Sequence, residues 1–314
     1  MRKPLLVIAV GGNSLITDSQ HMTVLDQYRA AGQTSRHIAS LIDDGSNVVV
    51  THGNGPQVGF ILMRSELAKD MLHQVPLESC VADTQGAIGY QIQQTLGNEL
   101  LKRGMNRRLA TVVTQVVVDG NDPAFKKPSK PIGPFYSEED ACHHEKTDGW
   151  TVMDFGRRGW RRVVPSPEPL EIVEQEAIRI LLENGVIVTA AGGGGIPVVR
   201  NEIGELEGRA AVVDKDASSC LLAVNLGADT FVISTAVDKV MLDFEGPAQK
   251  AIDHMTVEEA VGYMSDGHFA SGSMKPKIKA AVEFLKRGGK RVVITQPHLL
   301  EEAMAGDNGT HITP

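Results

Sequence analysis

Residues 51–59 read THGNGPQVG directly after the β-branched run Asn47-Val48-Val49-Val50, so a strand ends there in a glycine-rich turn that opens a helix at Pro56. Glycine lets the backbone bend through positive φ and approach a ligand closely, and the first amides of the following helix have no partner within it. Such a turn suits an oxyanion. The pattern recurs on both sides of it. Residues 5–10 form an apolar run that enters Gly11-Gly12-Asn13-Ser14, and residues 186–190 enter Gly192-Gly193-Gly194-Gly195-Ile196-Pro197. One junction of this kind is as readily a tight structural turn. Three of them at carboxyl ends of strands, where open parallel sheets take their ligands, point to several oxyanions brought together.

Working outward, apolar runs at residues 5–10, 48–51, 109–118, 186–190, 230–234 and 291–295 alternate with helical periodicity over 24–42, 57–69, 169–183, 216–226, 256–264 and 277–286. That alternation is the mark of a mostly parallel sheet between helices. Ile88, Ile92, Leu96 and Leu100 recur every four residues, with Asp83 or Thr84 as the candidate cap and Gly104 as the stop. Residues 120–167 break the rhythm. Their run DPAFKKPSKPIGPFYSEED is dense in proline, lysine and acid, yet Phe125, Phe135, Tyr136, Trp150, Phe155 and Trp160 are more aromatic side chains than a disordered linker carries. The expectation is a small folded excursion overhanging the main domain.

At 314 residues the chain can bury a full core as one large α/β unit or two lobes. Lys and Arg total 31 against 39 Asp and Glu, a net charge of −8 that argues against a general nucleic-acid surface. Any anion site must then be local, built from amides and a few placed lysines. Cys80, Cys142 and Cys220 are odd in number and far apart, which indicates neither a disulfide framework nor a zinc site and fits a reducing cytoplasm. Met1-Arg2-Lys3 precedes an apolar stretch shorter than a signal-peptide core, so a buried first strand is read there. No run reaches the ~18 apolar residues of a membrane span.

Known catalytic fingerprints mostly fail. G-x-x-x-x-G-K-[ST] and G-x-S-x-G are absent, and the turn at 53–59 spaces its last glycine one residue too far for G-x-G-x-x-G. No His/Asp/Glu cluster has metal-ligand spacing, and His52, His143 and His144 read as structural or exposed. Lysine remains: Lys130 inside the excursion, Lys215 in Val213-Asp214-Lys215-Asp216, and Lys277 after Gly272-Ser273-Met274. Most lysines are solvated surface groups. Asp-Lys-Asp at a helix start differs, because the acids keep the lysine charged and fix its direction, as phosphoryl transfer requires.

These residues fall within longer blocks. AVGGNS at 9–14, THGNGPQVG at 51–59, QGAIGY at 85–90, TQVVVDGNDPAF at 114–125, KPIGPFY at 130–136, WRRVVPSP at 160–167, GGGGIPV at 192–198, VDKD at 213–216 and FASGSMKPK at 269–277 closely resemble carbamate kinase, in the same order over nearly the whole chain. KPIGPF and WRRVVPSP distinguish carbamate kinase from other members of the amino acid kinase superfamily.

The resemblance implies an α/β fold, one three-layer αβα sandwich over residues 1–314 with a mainly parallel central sheet, and a protruding lid subdomain at 120–167. It implies a cytoplasmic homodimer that moves phosphate reversibly between ATP and carbamate, with Mg²⁺ accompanying ATP or ADP. The amino-terminal part would hold carbamate or carbamoyl phosphate, and residues 186–314 the nucleotide. Carried over by motif, Gly11, Gly12, Asn13, Gly53 and Asn54 would surround the phosphoryl group and carbamate. Lys130 would descend from the lid, Lys215 would stabilise the transferring group, Asp216 would orient lysines, and Lys277 would meet the nucleotide phosphates. Asp238 and Met274 would lie near the nucleotide, and no protein metal ligand is implied.

Three places depart from the pattern. The common Gly-Ser-Met-Gly-Pro-Lys-Val-Glu is here Gly272-Ser-Met-Lys275-Pro-Lys277-Ile-Lys279, which adds two cations beside the expected phosphate site. Ser-Gln-Gly is Thr84-Gln85-Gly86, and Val-Asp-Gly-Val-Tyr is Val237-Asp238-Lys239-Val240-Met241. Two other readings stand beside carbamate kinase: a kinase of another small carboxylate or oxyanion on the same fold, and a binding or regulatory homologue without turnover, which the presence of all three lysines and Asp216 disfavours.

Overall fold

The structure, a computed structural model, describes residues 3–12, 20–269 and 272–314. At its centre is an eight-stranded sheet built from β1 (Leu5–Val10), β2 (Asn47–His52), β3 (Leu109–Thr111), β9 (Ile187–Thr189), β12 (Thr230–Ser234), β15 (His254–Thr256), β16 (Arg291–Thr295) and β17 (Thr310–Thr313), in the order β15-β17-β16-β12-β1-β2-β9-β3. All neighbours pair in parallel except β16 with β17. Every residue of β1 is buried, as a strand covered on both faces requires. Its side chains divide by the period of two. Leu5, Val7 and Ala9 join the core under α6 (Lys215–Leu226) and α8 (Met274–Lys286), whereas Leu6, Ile8 and Val10 join the core under α1 (Val24–Asp43), α3 (Leu77–Lys102) and α9 (Leu300–Ala305). The fold is therefore the three-layer αβα sandwich.

A second sheet, in the order β11-β10-β4-β8, comprises β4 (Gln115–Val118), β8 (Pro169–Ile172), β10 (Ile196–Arg200) and β11 (Leu206–Gly208). It accounts for two departures from the sequence reading. The apolar run 109–118 is not one strand: β3 ends at Thr111 and β4 starts at Gln115 in another sheet. The buried Gln85 side chain satisfies the break, donating to the carbonyls of Thr114 (3.0 Å) and Gly192 (2.9 Å) while accepting from Thr114 N (2.8 Å). Likewise 169–183 is not one helix. Pro169–Ile172 pairs antiparallel with β4, placing Ile172 in the core, and α5 (Gln175–Glu183) starts after it.

Helix α3 begins at Leu77 behind Pro76, so neither Asp83 nor Thr84 caps it. Thr84 instead turns inward and donates to Val81 O at 2.6 Å. Helix α2 (Gln57–Leu67) starts one residue after Pro56, in line with the turn that opened the sequence.

Residues 130–164 leave the sandwich as an antiparallel sheet of β5 (Lys130–Tyr136), β6 (Thr151–Asp154) and β7 (Trp160–Val164), ordered β5-β7-β6 and backed by α4 (Glu138–Asp148). Trp150 is its buried centre, stacked on His144 at 4.0 Å with the Arg162 guanidinium 4.8 Å above the ring. Its stem is the register pair Lys130 and Val164. Two ion pairs reach the sandwich, Arg162 to Glu66 at 2.6 Å and Lys69 to Asp148 at 3.0 Å. A hairpin of β13 (Val240–Leu242) and β14 (Lys250–Ile252) and helix α7 (Val257–Ser265) complete the chain.

Candidate active site

After β1 the chain adds β2, β3 and β9 on one side of it, and then β12, β15, β16 and β17 on the other. A crevice opens at the carboxyl ends of strands where such an order reverses. There a cavity of about 300 Å³ is lined by Gly11, Gly12, Gly53 and Asn54 from the first two glycine junctions, by Gly193 from the third, and by Lys130, Lys215, Asp216 and Lys277.

The first two loops pack backbone against backbone. A Cβ on Gly12 would stand 2.3 Å from Gly55 O, and one on Gly53 would stand 3.0 Å from Gly12 N. The third junction does something different. Gly193, Gly194 and Gly195 have φ of 66°, 90° and 87°, and a Cβ there would meet Asn54 Nδ2 at 2.3 Å, Val213 O at 2.3 Å and Val116 Cγ2 at 2.1 Å. This loop is a wedge that holds the Gly-Asn loop and the start of α6 together. Gly193 brings this third junction to the cavity beside the other two, while Gly194 and Gly195 serve close packing.

Helix α6 carries the charge into the cavity. Asp214 is its cap, with Oδ1 accepting from the amides of Asp216 (2.9 Å) and Ala217 (3.3 Å), while Oδ2 accepts from Lys130 Nζ at 2.7 Å. Asp216, 5% exposed, faces two ammonium groups: Lys277 Nζ donates to Oδ2 at 2.7 Å, and Lys215 Nζ lies 2.7 Å from Oδ1 as an ion pair. Lys215 Nζ also donates to Ala9 O at 3.2 Å, which aims it at the end of β1.

Burial alone would raise the Asp216 carboxyl, but Lys215 and Lys277 outweigh it and hold the group well below the usual carboxylate range. Burial lowers Lys215, which Asp216 counters. Burial would likewise raise Asp214, and Lys130 brings it down. The cluster is thus three cations on two carboxylates, one positive charge in excess and directed at a small amide-lined cavity.

His52 sits beneath the loop. Its Nδ1 lies 2.9 Å from Gly53 O, and its Nε2, buried and without a partner, faces Gly192. Burial, aided by Lys215 and opposed by the Gly53 carbonyl, lowers this imidazole to about 4. It is a neutral spacer at physiological pH.

The arrangement has counterparts among known proteins. The chain is 47% identical over 313 residues to the carbamate kinase-like protein YahI of Escherichia coli (strain K12), with 99% of each chain covered. It is 46% identical over 312 residues to the carbamate kinase of Pyrococcus horikoshii, covering 98% of this chain and 99% of that one. The solved carbamate kinase from Giardia lamblia bound to AMP-PNP superposes with a TM-score of 0.92 at 36% identity, over 99% of this chain and 98% of that one. A model of the amino acid kinase family matches residues 4–296. The chain belongs to the amino acid kinase family, among the carbamate kinases.

Of the positions that the carbamate kinase resemblance marked, Asn13 lies outside the described residues. Asp238 is exposed, and Met274 is half-buried as the first residue of α8; neither lines the cavity. In sequence Asp214 reads only as an acid beside Lys215; its capping role could also have been read, since an acid before a helical run is the usual cap. The role of Gln85 could not, because its partners Thr114 and Gly192 are distant in sequence.

Proposed function

We propose that this protein catalyses reversible phosphoryl transfer between ATP and carbamate, running toward ATP from carbamoyl phosphate and ADP. The observation that carries the reading is the pair of ammonium groups, Lys215 and Lys277, held on one buried carboxylate at a cavity walled by loop amides. Phosphoryl transfer gives the protein little covalent work, so positioning and charge neutralisation dominate. An oxygen of the ADP β-phosphate attacks phosphorus, the bond from phosphorus to the carbamoyl oxygen breaks, and carbamate leaves with the electron pair. Amides of the Gly11-Gly12 and Gly53-Asn54 loops face carbamate and the phosphoryl oxygens. Lys215 lies on the transferring group, Lys277 on the nucleotide phosphates, Asp216 aims both, and Lys130 is brought by the lid. Asp238 and Met274 are assigned to the nucleotide side and Asn13 to the carbamate side.

The donor set suits a metal that arrives with the nucleotide. Both Asp216 oxygens face lysines, Asp214 is divided between the cap and Lys130, and no group of three or more His, Cys, Asp or Glu could hold an ion among the described residues. Mg²⁺ keeps several waters and binds readily to phosphates, where it would neutralise charge between them. Unpaired Cys80, Cys142 and Cys220 support a reducing cytoplasm. Exposed Val24 and Leu25 of α1, and exposed Tyr90 of α3 whose ring meets Tyr28 of α1, support a homodimer contact.

No arginine lines the cavity among the described residues, so a larger acid has no recognition group. Carbamate should be phosphorylated, and acetylglutamate, glutamate and aspartate refused. Comparable turnover on any of the three would overturn the assignment. A second reading, a kinase of another small oxyanion, draws on the same small cavity and on a relative that is itself only carbamate kinase-like; preferred turnover of acetate over carbamate would select it.

A further inference from the structure

A second cavity of about 580 Å³ adjoins the catalytic one, sharing Lys130, Asp214, Gly272 and Pro276 with its lining. Its floor is apolar, built from Cys220 and Leu221 of α6, Met264 of α7 and Ala280 of α8. Its rim is cationic. Lys275, Lys279, Arg287 and Lys130 face it against Glu168, Asp214 and Glu283. Lys130 is matched by Asp214, Arg287 by Glu283 and Lys279 by Glu168, leaving Lys275 without a partner among the described residues. Lys275 and Lys279 are the two positions at which this chain replaces the common Gly and Glu, so both of the added cations open onto one cavity.

The Lys279 and Glu168 side chains are 66% and 61% exposed, and an ion pair so exposed is weak and readily exchanged. Glu168 stands in the segment that follows the lid, with its amide donating to Asp122. Its carboxylate shows the chemistry that the rim accepts. We propose that this cavity is a second ligand site, which takes a small apolar molecule bearing one carboxylate. The apolar body lies on Cys220 and Leu221, and the carboxylate meets Lys275 and displaces Glu168 from Lys279. The volume lies within the range of small-molecule sites, which combine an apolar lining with few polar groups.

Octanoate is the probe, titrated by calorimetry into the protein saturated with ADP, with octylammonium and acetate as controls. Octanoate should bind saturably, the controls should not, and Lys275→Gly/Lys279→Glu, which restores the common pattern, should weaken it by about tenfold or more. Should that variant fail to fold, Lys275→Met, which leaves the Lys279 pair intact, should weaken it by about threefold. No saturable binding, equal binding of octylammonium, or unchanged affinity in the variants would each overturn the proposal. The readout is binding, so its failure leaves the proposed reaction untouched.

Discussion

A carboxylate with 5% of its side chain exposed would ordinarily give up its charge; Asp216 keeps it because two ammonium groups lie 2.7 Å away. With its folded value depressed below the unfolded one, the stabilisation from this cluster is fully present above the ordinary Asp value and is lost as pH falls through the folded one. His52 shifts in the same direction from another cause. Burial takes its folded value from 6.5 to about 4, so below pH 6.5 the unfolded chain gains a proton that the folded chain refuses. Stability should fall between pH 6.5 and 4 by on the order of 3 kcal/mol from this residue. His52→Gln cannot titrate, so urea unfolding at stepped pH should show a flatter dependence than in the natural protein. Equal slopes would mean that His52 is not held neutral. Asp216 was legible because its neighbour in sequence is also its neighbour in space. In sequence His52 reads only as structural or exposed, since the burial that keeps its ring neutral comes from tertiary packing.

Helix α6 shows how one side chain can set an element and a site together. Asp214 caps the helix with one oxygen and holds Lys130 with the other. Asp214→Asn keeps a capping oxygen but loses the ion pair, whereas Asp214→Ala loses both. The alanine variant should be the less stable by about 1 kcal/mol, while the two share a similar loss of kcat. Chemical denaturation and steady-state kinetics check this, and equal stability would remove the cap. The strands buried on both faces were legible from apolar runs alone, and the buried stripe Ile88, Ile92, Leu96 and Leu100 marked α3. Its start was not legible, because Asp83 and Thr84, which resemble a cap in sequence, lie inside the helix, where Thr84 is buried and donates to Val81 O. The division of 109–118 between two sheets depends on Gln85. Proline and the burial of Ile172, rather than helical periodicity, decided 169–172.

At the scale of the whole molecule, the sandwich fixes the glycine loops and the lid brings Lys130 to them. The lid is joined through a two-stranded stem, and a space of about 1330 Å³ lies between it and the segment around residues 62–77. Closure over the phosphates would exclude water, so residues 125–160 should gain protection from hydrogen exchange with saturating ADP and carbamoyl phosphate. Unchanged protection would leave the lid a fixed wall. In the proposed function, sheet, helices and lid converge to aim Lys215 at a phosphoryl group moving between carbamate and ADP. Removing one preorganised electrostatic contact typically lowers kcat by roughly 10²–10³, whereas removing an exposed lysine shifts stability by about 0.5 kcal/mol or less. The most direct measurement is ATP formation from ADP and carbamoyl phosphate by the natural protein and by Lys215→Ala in parallel. The account predicts steady ATP formation by the first and a fall in kcat of at least about 10² in the second, with folding and ADP binding retained. No ATP from the natural protein, or near-normal kcat in Lys215→Ala, would contradict it.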